Sequence, residues 1–142
     1  MTREAIEAFF DERSRLWAAR DMDGLADGHA EDGTVDSPMF GHRRGRAAIR
    51  DAYRALLATF PDWALTSQDL LIDGDRVAQV FQATATHVGD FLGLQGTNRR
   101  FVIQGVRLFT MRDGLVAHER RLYDFTGLLI QVGILRGKPA KD

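Results

Sequence analysis

Around Phe60-Pro61-Asp62 the hydrophobic period of this chain changes, and that change limits the fold more than any other feature. Before it, apolar residues return every three or four positions; after it, they come in runs rich in β-formers, separated by Asp-Gly turns. Ile6, Phe9, Phe10, Arg13, Leu16 and Trp17 form a first helical stripe, which Thr2 can cap. A short helix is expected over residues 24–30, capped by Asp23 and closed by Gly33. Residues 34–37 read as a short strand ending at Pro38, and residues 40–45 as a loop or a brief return strand. Ile49, Ala52, Tyr53, Leu56, Leu57 and Phe60 then form a third stripe that Pro61 stops.

The second half is read as strands. Residues 64–72 lead into Asp73-Gly74-Asp75, a hairpin signal, and residues 76–87 form the return. A glycine-punctuated loop over 89–98 precedes a strand at 100–111. Asp113-Gly114 marks a second hairpin into 115–123, and an apolar stretch at 127–135 precedes a polar tail. Helices followed by hairpin-linked strands imply an α+β domain, a curved antiparallel sheet wrapped around N-terminal helices. With 142 residues, one domain over 1–142 is expected.

Composition narrows the function. The 19 Lys and Arg against 20 Asp and Glu give a net charge of -1, which argues against a nucleic-acid binder. The absence of cysteine removes disulfides, thiolate metal ligands and thiol nucleophiles. No apolar run approaches the roughly 18 residues of a membrane helix, and the acids in MTREAIEAFF do not suit a signal peptide, so a cytoplasmic protein is expected. Phosphate-loop, dinucleotide and G-x-S-x-G motifs are missing, as is H-E-x-x-H, and neither a metal nor a cofactor is expected.

Several polar residues stand out in apolar settings. Asp124 closes the last strand between Tyr123 and Phe125 and either works as a pocket acid or base or caps the next helix. Strand alternation places Val116, His118, Arg120, Leu122 and Asp124 on one face and Ala117, Glu119, Arg121 and Tyr123 on the other. If Asp124 points inward, Arg120 and His118 follow it; otherwise Arg120 belongs to a solvated ion pair. His87, at a strand end, either shuttles protons or bonds a loop. Asp36 could reach a cavity mouth or serve turn chemistry. Gln104 is a cavity hydrogen-bonder or an outward residue. Trp17 and Tyr53 are core residues that could also wall a pocket. Both parities of the strand at 100–111 are apolar, Phe101, Ile103 and Phe109 against Val102, Val106 and Leu108. An outer face so apolar suggests a homodimer.

Three segments carry a family resemblance: Thr86-His87-Val88-Gly89-Asp90-Phe91-Leu92-Gly93; Phe101, Gly105, Val106 and Phe109 before Asp113-Gly114; and Tyr123-Asp124 followed by Gly127-Leu128-Leu129, Gln131, Val132 and Gly133. Gly45, Ile49 and Phe60-Pro61-Asp62 fit the same pattern. Together they resemble SnoaL-like polyketide (ester) cyclases, of the cone-shaped nuclear-transport-factor-2-like fold. The resemblance implies a pocket without a cofactor, a small apolar carbonyl or ester ligand, intramolecular aldol closure or isomerisation, and Asp124 as acid/base. Ketosteroid isomerase, a relative by fold, uses Asp groups in this way. The family's frequent E-H-W-D run is replaced here by His118-Glu119-Arg120-Arg121, which puts the Arg120 guanidinium where an indole would stand. Beside Asp124, Arg120 would weaken a base. Two other functions are therefore also carried: an epoxide hydrolase or dehydratase built on Asp124, Arg120 and Asp36, and a non-catalytic dimer that binds a small ligand.

Overall fold

The computed structural model describes residues 1–141. Helix α1 (Arg3–Ala19) starts at Thr2, whose hydroxyl accepts the Ala5 N–H at 3.1 Å, and ends at Arg20 in a left-handed conformation. Helix α2 (Met22–Asp27) is capped by Asp21, which accepts the Gly24 N–H, rather than by the expected Asp23. Strand β1 (His29–Ser37) begins where α2 stops, five residues earlier than the sequence suggests. Gly33 does not close a helix; it sits inside this strand, where β1 bulges between His29 and Thr34. Strand β2 (Gly41–Arg44) is the brief return, and α3 (Arg46–Thr59) follows it. Strands β3 (Ala64–Asp73), β4 (Arg76–Thr86), β5 (Arg100–Arg112) and β6 (Leu115–Tyr123) precede α4 (Phe125–Gln131).

The six strands form one curved, unclosed sheet in the order β2-β1-β6-β5-β4-β3. Four neighbouring pairs are antiparallel, while β1 and β6 pair in parallel. No hairpin could join two strands so distant in sequence, so nothing forces them antiparallel. Both hairpins have the chemistry that their turns need. Asp113 and Gly114 have φ of 53° and 77°, as a type I′ turn requires, and Gly74 has φ of 60°.

Helix α3 buries Ile49, Tyr53 and Leu56 against the concave side, with Trp17, Phe60, Trp63, Phe81 and Phe101. A second cluster gathers Ile6, Phe10, Val77, Phe109, Met111 and Val116. The inward residues of β5 are Phe101, Ile103, Gly105, Arg107, Phe109 and Met111, and their β6 partners decide what else enters the cone. Thr110 pairs with His118 but Met111 with Val116, so Ala117 is an extra residue in β6. This bulge turns both Val116 and Glu119 inward, three positions apart, where strict alternation would separate them.

Gly105 holds this arrangement together. A Cβ there would stand 2.2 Å from the Leu122 carbonyl oxygen and 2.9 Å from the Tyr123 Cβ. Gly105→Ala is expected to lose about 1–3 kcal/mol through overpacking, read as a lower urea midpoint with an unchanged m-value. A midpoint equal to wild type would show that β5 and β6 can separate without cost.

Candidate functional site

The concave side of the sheet carries charge where a core would be apolar. Arg13, His29, Arg107, Glu119 and Arg121 are all buried, Glu119 completely. Arg13 occupies a core position of the α1 stripe, one turn from Phe10 and from Trp17. Arg107 takes the inward parity of β5, and Arg121 stands directly opposite it on β6. Like charges in direct cross-strand register repel, so something must hold them there.

Glu119 holds them in part. Its Oε2 accepts a short hydrogen bond from Arg121 Nε and lies 3.7 Å from Arg107 Nη1. Its Oε1 lies 3.9 Å from Arg13 Nη2 and 3.6 Å from His29 Nε2. Burial alone would raise the carboxyl's pKa, but the guanidiniums of Arg121 and Arg107 outweigh it, with His29 and Arg13 adding to them. Glu119 is therefore held ionised well below the ordinary carboxylate range. Burial pushes Arg107 down to about 10, helped by Arg121, so it stays charged at neutral pH. Burial would lower Arg121 too, but Glu119 reverses that and raises it. Burial keeps His29 neutral, with a pKa lowered to about 3 despite Glu119.

Aromatic rings complete the cradle. The Arg107 guanidinium carbon lies 5.0 Å from the Trp17 ring centre and 4.9 Å from that of Phe81, which fixes the side chain from both sides. Arg121 lies over Tyr53 at 5.3 Å, and Tyr53 Oη accepts from Arg13 Nη2 at 3.0 Å. Arg107 Nε and Nη1 are buried and have no hydrogen-bond acceptor among the described residues. Arg107 and Arg121 line a small cavity with Phe40, Trp63, Ile103 and Tyr123. The centre of a water molecule can move through only about 10 Å³ of it, room for about one water. Met39 and Phe40, on the turn between β1 and β2, are half-buried and form one wall of it. Burial raises the pKa of Tyr123, so its phenol keeps its proton at neutral pH.

The residues singled out from the sequence are distributed differently. Asp124 is exposed, and its Oδ1 accepts the Gly127 N–H at 2.8 Å, capping α4; the apolar surroundings expected for it are absent. Arg120 is exposed, and the β6 guanidinium that enters the cone is that of Arg121. His118 is half-exposed, its Nδ1 2.6 Å from Thr34 Oγ1 and its Nε2 3.6 Å from Asp36. Asp36 is half-exposed beside His42 and registers with Arg120, so Asp36, Arg120 and Asp124 do not meet in the cavity. The Ala117 bulge separates Val116, which faces inward, from His118 and Arg120, which face outward, although plain alternation puts all three on one face. Gln104 is exposed and bonds Gln82 across the outer face. His87 is fully buried between Phe60 and Phe91, and its Nδ1 accepts the Thr97 N–H, which ties down the 89–98 loop. Trp17 and Tyr53 are core residues that support the arginines without lining the cavity.

His29 gives the cluster a measurable acid response. The folded chain keeps His29 neutral down to about pH 3, whereas an unfolded chain protonates it near its ordinary value of 6.5. The unfolded state thus binds more protons between these values, and stability is lost as pH falls through that window. Glu119 adds a second loss below its unfolded value of 4.5. Urea unfolding is expected to show declining stability from pH 6.5 for the wild type, and from about 4.5 for His29→Gln. Identical pH profiles would mean that His29 is not held neutral.

Comparison with known proteins agrees with this architecture. TsrD from Streptomyces laurentii is 26% identical, with a TM-score of 0.83 over 95% of this chain and 99% of that one. AclR from Streptomyces galilaeus, a candidate hydroxylase, is 27% identical, with a TM-score of 0.79 over 94% and 87%. IdmH from Streptomyces antibioticus, a candidate polyketide cyclase, is 25% identical, with a TM-score of 0.74 over 89% and 97%. No curated protein matches the chain. The family model described as SnoaL-like polyketide cyclase matches residues 8–132, and the chain belongs to that family.

Proposed function

We propose that this chain is a cofactor-independent enzyme that enolises a small carbonyl or ester compound inside the cone and cyclises or isomerises it. Arg107 and Arg121 hold the oxygen on which charge develops. The observation that carries this reading is Arg107, a buried guanidinium clamped by two rings, with two donor nitrogens lacking acceptors beside a cavity. Donors fixed in advance in a dry site stabilise an oxyanion without reorganising during the reaction.

For an aldol closure, the C–H bond beside a carbonyl breaks and its electron pair moves onto the carbonyl oxygen, against the guanidiniums. The proton passes to water. The enolate carbon then bonds to a second carbonyl carbon of the same molecule, and the new alkoxide takes a proton from Tyr123, which regains one from solvent. Glu119 is a poor base because its arginine partners hold it ionised, and it serves to position them. A hydrolase or dehydratase would need a carboxylate facing the ligand, and neither Asp36, Glu119 nor Asp124 lines the cavity.

The outer face of the sheet supports a homodimer. Val102 is 47% exposed and Leu122 41%, and Val106 and Leu108 lie partly open on the same face. Sedimentation at micromolar concentration is expected to give a dimer, and the double variant Val102→Asp, Leu122→Asp a monomer. A monomeric wild type would refute this interface.

The enzymatic reading can be tested without the natural substrate. Incubation of small β-keto esters in D2O, followed by proton NMR, is expected to show enzyme-catalysed loss of the α-proton signal. Arg107→Met should slow this exchange by on the order of 100-fold, as the loss of an oxyanion donor does. Asp124→Asn should leave it close to wild type, since Asn caps a helix as well as Asp does. If Asp124→Asn abolishes exchange and Arg107→Met does not, the chemistry lies with Asp124. Binding without exchange would mark a ligand-binding dimer.

A further inference from the structure

The cone contains more positive charge than an enolising site needs. Among the described residues, the buried charged side chains are Arg13, Arg107 and Arg121 against Glu119 alone, with His29 neutral. Three guanidiniums facing one carboxylate leave two positive charges inside the protein. An enolate exists only during turnover, whereas this excess is permanent. Uncompensated buried charge is strongly destabilising, so a counter-ion is favoured there.

The distribution of the excess is uneven. Arg13 is satisfied by Tyr53 and by the Leu25 carbonyl, and Arg121 by Glu119. Arg107 has only a distant ion pair to Glu119 at 3.7 Å, and its Nε and Nη1 have no acceptor. Each of these two nitrogens shares an edge of the planar guanidinium with Nη2, Nε along its side and Nη1 at its end, and a planar carboxylate is the group that such an edge matches best. Arg121 pairs with Arg107 across the two strands and lines the same cavity, so an anion held there meets the field of both. The surrounding wall is aromatic and apolar, with Phe40, Trp63, Phe81 and Tyr123.

The geometry points to a substrate that carries a carboxylate before any reaction occurs, bound against Arg107 and Arg121, with an aromatic or other flat apolar body against the ring-lined wall. This deepens the proposed function and rests on the same pocket. It makes the substrate class an oxo acid, rather than the neutral ester that the family resemblance alone implies. The carboxylate completes the charge balance that Glu119 begins, and selectivity against the neutral amide or ester follows from the buried donors that those groups would leave unmet.

The test compares benzoate with benzamide, two probes of nearly equal shape that differ by one charge. Each is titrated into the wild-type protein at constant ionic strength and neutral pH, and the Nε–H resonances of Arg107 and Arg121 are followed by NMR. Benzoate is expected to shift both saturably and to raise the melting temperature, with benzamide at least about 100-fold weaker, as for a site whose charged donors are left unpaired. Arg107→Met should abolish the benzoate response and, by removing an unmet buried charge, melt no lower than wild type. Equal binding of the two probes, or no response to benzoate, overturns the carboxylate assignment. Should that happen while wild-type α-proton exchange persists and Arg107→Met loses it, the enolising function stands and only the substrate class falls. Loss of exchange in the wild type overturns the enolising function by itself.

Discussion

The fully buried carboxylate of Glu119 is the interaction on which the inside of this protein depends. It touches groups from α1, β1, β5 and β6 at once, through Arg13, His29, Arg107 and Arg121. Removing this carboxylate would leave three buried guanidiniums without a counter-charge, and breaking a buried pair in that way typically costs about 3–5 kcal/mol. The two apolar clusters meet around it, with Arg13 stacked on Phe109 of one and Arg107 on Trp17 and Phe81 of the other. The charged group is thus part of the core, not a patch added to it.

In the proposed reaction this arrangement separates support from chemistry. Trp17, Tyr53, Glu119 and Arg13 fix the positions of Arg107 and Arg121, and only the last two reach the cavity. A site that stabilises a developing oxyanion needs rigid donors more than it needs a strong base. The tightness of the cavity fits that demand, and the β1–β2 turn with Met39 and Phe40 supplies one of its walls.

Much of the fold was legible in the sequence because its signals are local. Thr2 caps α1, Pro61 follows α3, and the Asp-Gly turns at 73–75 and 113–114 join the strands where their left-handed residues require. Two of the charged residues were legible as anomalies: Arg13 stands on an otherwise apolar helical stripe, and Arg107 shares a parity with Phe101, Ile103 and Phe109. His29 and Glu119 gave no such signal. His29 precedes the segment that reads as a strand, and Glu119 lies on the face that simple alternation gives no role. Asp124 stays ambiguous in the sequence because a capping aspartate and a pocket aspartate look the same between two aromatic residues; the structure shows it capping α4.

The sequence by itself determined the α+β class, the strand order along the chain and the family, since period, turn residues and motif spacing are properties of neighbouring residues. Which side chains enter the cone was decided only by tertiary structure. A single bulged residue, Ala117, exchanges the faces of β6, and its presence depends on how β5 and β6 register with each other. Alternation counts residues along one strand, but a bulge exists only between two. That is why a reading confined to the chain leaves the inward face of β6 open, and why only the folded protein shows Glu119 and Arg121 inside with Arg120 and Asp124 exposed.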